Sequence, residues 1–337
     1  MIVFGLPACS ERAILLINPL RFGEANLPPE GRVSQLKPER IVLHCGLHKT
    51  GSTYIQRNLQ TNRETLIDHG ILYIGPNTFK KRCSALWNHL QWGHWDKPTK
   101  PQLKEQTLTT LIELSGNAPE RIHTILISFE AIFGTLRSGM SESERRKVPN
   151  KENKQGLYRY AKSRTKRLMG ALEVALNCKG IQWSILFATR EQDAFIRSCH
   201  TQLIKEGRHD LSSTDLASFQ QTADFSFTGK DILESSLSRL GNKRKLEIIT
   251  MDYDAAIDPE NPSVYLWAVL EQALPAQAAT LKAKLGSSED NDNLVRNTNP
   301  GLSDRGLELA VQARPLFNRS EWKLFRKFLE KNFAKTR

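Results

Sequence analysis

The sequence predicts an α/β protein, with a mainly parallel sheet in the middle and helices packed on both of its faces. Three observations predict it. Apolar runs at 41–45, 71–74, 123–128, 181–188 and 246–250 have the length of buried strands. Segments of helical periodicity separate them, the pattern of a parallel sheet built from crossover units. The first run also passes through a short loop punctuated by Gly46 and Gly51 straight into a helix. With 337 residues, 39% of them hydrophobic, the chain can bury a sizeable core as one large domain or two small ones.

Taken in order, residues 1–39 hold Pro7, Pro19, Pro28, Pro29 and Pro38 without sustained periodicity. They are expected to form a loosely attached extension, with one domain over 40–337. After the first strand, Ile55, Leu59, Leu66 and Ile67 mark one side of a helix running to about Asp68. The second strand ends at Gly75-Pro76. Trp87, Trp92 and Trp95, interleaved with His89 and His94, belong in a core or a binding cleft, because each indole joins a large apolar face to one N–H. A helix over about 102–114 leads to the strand 123–128, followed at once by Phe129 and Glu130.

The highly charged stretch 139–156 is expected as a solvent-facing loop, with a lid over a site as the alternative. The helix expected over 157–177 is basic in its first half (Arg159, Lys162, Arg164, Lys166, Arg167). It reads as a solvated face, with a groove for an anionic acceptor as the alternative. The strand 181–188 is followed by a helix to about Ile204. Ser212 or Ser213 is placed to cap a short helix reaching Ala223. Beyond the last strand, helices are expected at 264–273, 302–313 and 320–333, with a polar loop over 286–301.

Composition narrows the setting. The formal net charge of +12 points to an anionic partner: nucleic acid, a membrane surface, or an acidic small molecule or glycan. Cys9, Cys45, Cys83, Cys178 and Cys199 are odd in number and lack C-x-x-C spacing, which favours buried free thiols and a reducing compartment. The apolar run 13–17 is too short to span a membrane and lacks the flanks of a secretion signal. A soluble, cytoplasmic protein is the expectation.

The chemistry starts at His48-Lys49-Thr50-Gly51-Ser52-Thr53, between the first strand and its helix. In that layout main-chain N–H groups and a helix N-terminus converge on a phosphate. Lys49 adds a mobile charge, and Thr50, Ser52 and Thr53 add hydroxyls. The nucleotide-triphosphatase pattern G-x-x-x-x-G-K-[ST] fails, because Lys49 precedes Gly51. A second constellation follows the fourth strand. Arg190 stands at its end, where open α/β sheets bind ligands, and Ser198 lies two helical turns further on.

The first run closely resembles the 5′-phosphosulfate loop of sulfotransferases that use 3′-phosphoadenosine 5′-phosphosulfate. Arg190 and Ser198 resemble the same family's 3′-phosphate segment, so the likeness spans 41 to about 203. It is nearer to the bacterial and carbohydrate-type enzymes than to the cytosolic small-molecule group, whose C-terminal G-x-x-G-x-x-K segment is not found here. Arg296 stands where such a loop would lie, and an ordinary loop arginine is the plainer reading.

The resemblance implies a three-layer, P-loop-like sulfotransferase fold. It implies a cofactor held by His48, Lys49, Thr50, Gly51, Ser52, Thr53, Arg190 and Ser198, and in-line sulfuryl transfer to a hydroxyl or amine. Lys49 is the catalytic cation, and no metal is expected. The general base is Glu130, at a strand end, or His89, in the tryptophan-rich stretch. The implied acceptor is anionic or carbohydrate, a glycan or glycolipid, with no nucleic acid partner. A peripheral contact with a membrane surface is the further partner the charge allows. Two other classes stay open: a P-loop small-molecule kinase and a non-catalytic nucleotide- or glycan-binding module.

Overall fold

The computed structural model describes residues 36–90, 99–116, 118–136, 156–178, 180–207, 215–258, 260–286 and 301–334. The N-terminal extension up to residue 35, Cys9, Trp92, His94, Trp95, the charged loop through residue 155, Ser212, Ser213 and Arg296 lie outside the described residues. Gln35–Arg337 forms one compact unit.

Five strands, β1 (Arg40–His44), β2 (Ile71–Ile74), β3 (Thr124–Ser128), β4 (Gln182–Thr189) and β5 (Lys245–Asp252), form one sheet in the order β2-β3-β1-β4-β5. All four pairings are parallel, so the mainly parallel sheet expected from the sequence is parallel throughout. The inner strands β1 and β3 are runs of Ile, Leu and Val because both of their faces are covered. Alternate side chains therefore enter different cores.

Ile41, Leu43, Ile125, Ile127, Trp183, Ile185 and Phe187 point into the larger core. That core is closed by α3 (Pro76–Lys81), α4 (Ser84–Leu90), α5 (Lys100–Leu114), α6 (Ala161–Leu176) and α7 (Gln192–Lys205). The short α8 (Leu216–Thr222) and α9 (Lys230–Ser238) complete it. Val42, Tyr73, Leu126 and Leu186 point the other way. There α1 (Ser52–Thr61), α2 (Arg63–Asp68), α10 (Ser263–Ala273) and α11 (Ala278–Gly286) pack. Helix, sheet, helix makes three layers. A third, smaller cluster joins α12 (Asp304–Ala313) and α13 (Arg319–Asn332) to Ile204 at the end of α7, around Trp322.

Three expectations are corrected. The first helix is two helices: Asn62 leaves helical geometry (φ −101°, ψ 26°), and its side-chain amide donates to the Asn58 carbonyl at 2.8 Å. Asn side chains compete with the helix ladder in this way. Strand β2 ends at Ile74, where the sequence places its stop, and Pro76 also opens α3, because proline at the first helical position lacks only an N–H that would be unpaired anyway. The short α8 is capped by Asp215, which accepts from Ser218 N at 2.7 Å. The basic face of α6 is not uniformly solvated. Arg164 is 7% exposed and donates to the Ala131 carbonyl, while Lys166 stays in solvent.

Cys45, Cys83 and Cys199 are buried, Cys178 is half-buried, and all four are free thiols. No helix among the described residues is long and apolar enough to cross a membrane.

The turn into β2 is tightly constrained. Gly70 has φ +72°, and its carbonyl accepts from both His123 N and Thr124 N at 3.1 Å. A Cβ there would lie 2.8 Å from the Arg121 carbonyl oxygen. Gly70→Ala should therefore cost about 1–3 kcal/mol, read as a lower urea midpoint with an unchanged slope.

Candidate functional site

The chain reverses direction across the sheet at β1. It runs outward to β2, returns through β3 beside β1, then crosses to β4 on the other side. The carboxyl end of β1 is thus a topological switch point, where open α/β sheets hold ligands. The loop from Cys45 to Gly51 fills it.

That loop is locked from within. Cys45 N donates to the Leu186 carbonyl of β4 at 2.9 Å. Thr50 turns inward: it is fully buried, and its hydroxyl donates to the Leu47 carbonyl at 2.7 Å. Its own carbonyl accepts from Tyr265 Oη at 3.0 Å. Lys49 (φ 69°) and Gly51 (φ 70°) both take the left-handed conformation, which bends the main chain around a concave face. Glycine is required at 51 for space as well, since a Cβ would lie 3.1 Å from the rings of Tyr253 and Tyr265. Helix α1 then begins at Ser52 with no side chain capping it, which leaves its first N–H groups open to an anion. Ser52 is buried, and Thr53 is exposed on the first turn.

Positive side chains converge on this face. Lys49 Nζ lies 3.5 Å from Gln202 Oε1 on α7, beside the buried Cys199 and near Lys205. Burial pushes the Lys49 pKa down, and the charges of Lys205 and Arg190 push it further the same way. Arg190 leaves the end of β4 with Nη1 3.4 Å from the Lys49 carbonyl and Nε 3.2 Å from Asp254 Oδ1. Its guanidinium lies over the Tyr253 ring, 5.4 Å from the centroid. Asp254 also accepts from Glu191 N at 2.8 Å. Ser198 is half-buried on α7, next to Cys199.

Across the loop stands a histidine–carboxylate group. Glu130 starts a short helical turn after β3, and Gln56 Nε2 of α1 donates to its Oε2 at 2.8 Å. Register places His44 of β1 opposite Ser128 of β3, with Nδ1 and Oγ 2.7 Å apart. Burial drives the His44 pKa down to about 4, against the opposing pull of the Glu130 carboxylate. His48 sits half-buried in the loop, its ring stacked on Tyr158. Burial lowers its pKa too, first among several influences that include Glu130 and Lys49. His89 lies on α4, whose Trp87 packs on Phe129, the residue before Glu130, at 5.1 Å between rings.

The structure thus gathers Lys49, Arg190 and the start of α1 at one point, with Glu130 and His48 adjoining. Sequence reasoning did not find Tyr158, Gln56, Gln202, Tyr265 or Asp254. Asp254 carried a signal, as an acidic residue just past a strand end. The others act through contacts across 74 to 215 positions of sequence. No group of three or more His, Cys, Asp or Glu side chains able to hold a metal occurs among the described residues. Comparison with protein-family models, curated proteins and solved structures finds no match to this chain.

His44 makes a pH prediction. Its folded pKa is below the 6.5 of an ordinary histidine, so the unfolded chain binds a proton that the folded chain refuses. Its contribution to stability is complete above about pH 6.5 and is lost as the pH falls toward 4, by about 3 kcal/mol in all. Urea unfolding across that range should show the slope, and His44→Asn should flatten it.

Proposed function

We propose that this chain is a sulfotransferase of P-loop-like architecture, using 3′-phosphoadenosine 5′-phosphosulfate and delivering the sulfuryl group to a hydroxyl or amine of a glycan or glycolipid. One observation carries the reading. The hydrogen bond from Arg190 Nη1 to the Lys49 carbonyl joins the two motif segments across 141 positions. The donor set suits a bisphosphate. Two cations, Lys205 and Arg190, stand close enough to add to the effect of burial in depressing Lys49, and an uncapped helix faces the same loop. Such a cluster is relieved by a polyanion.

The bound cofactor would supply an activated sulfuryl group. Lys49, with the N–H groups at the start of α1, would hold its 5′ end and offset negative charge that develops there. Arg190, steadied by Asp254 and Tyr253, would offer its remaining N–H groups to the 3′-phosphate, and the resemblance assigns Ser198 to the same phosphate. Thr50 closes the loop rather than reaching outward. Glu130, oriented by Gln56, takes the proton from the acceptor hydroxyl. The kinase reading wants a strand-end aspartate free to hold magnesium. Here Asp252 caps the turn that follows β5, and Asp254 is engaged with Arg190.

Radiolabelled cofactor offered to a panel of glycan, lipid-headgroup, tyrosine-peptide and phenol acceptors tests the activity, and a labelled product is expected. Arg190→Ala should weaken adenosine 3′,5′-bisphosphate binding by about 2 kcal/mol, roughly thirty-fold. Unchanged affinity would remove Arg190 from the site. Tight bisphosphate binding without transfer to any acceptor would favour the non-catalytic module.

The two base candidates separate by rate. Glu130→Gln should leave bisphosphate affinity intact and slow turnover by roughly 10²–10⁴-fold, whereas His89→Asn should leave the rate near normal. The reverse pattern would assign the base to His89.

A further inference from the structure

Tyr158 is buried, 3% exposed, yet its main chain has a left-handed φ of 64°. Bulky L residues rarely adopt that conformation, and where they do the surroundings over-determine it. The surroundings here are the phosphate loop. The Tyr158 ring stacks on His48 with centroids 5.7 Å apart and meets Phe133 edge-on at 6.2 Å. Its hydroxyl oxygen lies 2.8 Å from the main-chain nitrogen of His48 and 2.8 Å from Nδ1 of the same residue.

These two contacts decide where the protons are. The main-chain N–H can only donate, so Tyr158 Oη accepts there. If Nδ1 carried a proton, it would donate to the same oxygen as well. The tyrosine's own proton would then be buried without a partner among the described residues, which is costly. The arrangement that satisfies every group has the Tyr158 hydroxyl donating to a bare Nδ1. The ring proton then resides on Nε2, which bonds no described residue and belongs to a half-exposed side chain beside Lys49.

We infer that Tyr158 is a positioning residue that locks His48 in its Nε2–H tautomer, so that the phosphate loop presents an imidazole N–H donor to an anion seated on it. Burial works in the same direction by disfavouring the protonated ring, which leaves an uncharged donor beside a charged lysine. The tautomer follows from geometry alone. The anion's role rests on the proposed function.

The test uses the full chain with isotopically labelled histidine and long-range proton–nitrogen correlation spectra, with His48 assigned through His48→Gln. The wild type should show Nε2 protonated and Nδ1 bare. Tyr158→Phe keeps the ring stack but removes the hydroxyl. It should give a mixture of tautomers and weaken adenosine 3′,5′-bisphosphate binding about five- to ten-fold. The amide of His48→Gln can reach the place of Nε2–H, so that variant should keep most of the affinity and make Tyr158→Phe silent. A wild-type Nδ1–H signal overturns the inference, as does an unchanged tautomer in Tyr158→Phe. Equal weakening by Tyr158→Phe in the wild-type and His48→Gln backgrounds would reduce Tyr158 to a structural role and likewise overturn it. If the bisphosphate binds no form, the proposed function fails while the spectrum still decides the tautomer. If Tyr158→Phe does not fold, the wild-type spectrum decides alone.

Discussion

Strand β1 is hydrogen-bonded along both edges, to β3 from Arg40↔Thr124 through His44↔Ser128 and to β4 from Arg40↔Gln182 through His44↔Leu186. A strand buried on both faces and paired on both edges cannot slip, because a one-residue shift would turn Val42 and Leu43 into each other's cores. That fixed register sets the rest. It places His44 on Ser128, carries Cys45 to the Leu186 carbonyl, and delivers the loop to one point on the sheet edge. Arg190 reaches that point because β4 runs three residues beyond the pairing of His44 with Leu186 before it ends at Thr189.

The loop is held by three tyrosines and its own main chain rather than by an ion pair. Tyr265 holds the Thr50 carbonyl, Tyr253 lies under Arg190 and against the space of Gly51, and Tyr158 holds His48. Each phenol combines a large rigid face with one polar tip, so it fills space and fixes a hydrogen bond together. Lys49 and Tyr158, two of the residues with positive φ, lie here, and strained main chain persists only where packing enforces it. The loop is therefore shaped in advance, and binding need not order it.

Electrostatics divide the site in two. On the α7 side, burial first and then the charges of Lys205 and Arg190 lower the pKa of Lys49, and Asp254 balances Arg190 while Glu330 balances Lys205 at 2.8 Å. On the β3 side, the Glu130 carboxylate faces two histidines that burial keeps neutral. An anion is attracted to the first half, while the second holds a carboxylate beside two uncharged rings. Under the proposed function, the first half would hold the anionic group and the second would receive the acceptor's proton.

The sequence by itself determined the architecture and the two charged anchors. Short apolar runs separated by helical periodicity encode a parallel sheet through local burial, Lys49 announces itself in the glycine-punctuated loop after β1, and Arg190 by lying directly after β4. Glu130 was legible on the same ground. Element boundaries moved where a single side chain outweighed periodicity, as at Asn62 and Asp215. Tertiary structure alone decided which polar groups were left to act. Thr50 reads as an outward donor until packing spends its hydroxyl on Leu47, and Arg164 reads as solvated until α6 settles on the turn at Ala131. Tyr158 lies 110 positions from His48 in a stretch that resembles the start of an ordinary helix. Periodicity records which face of an element is buried. It carries no information about which distant side chain completes a hydrogen bond, and the site is built from such bonds.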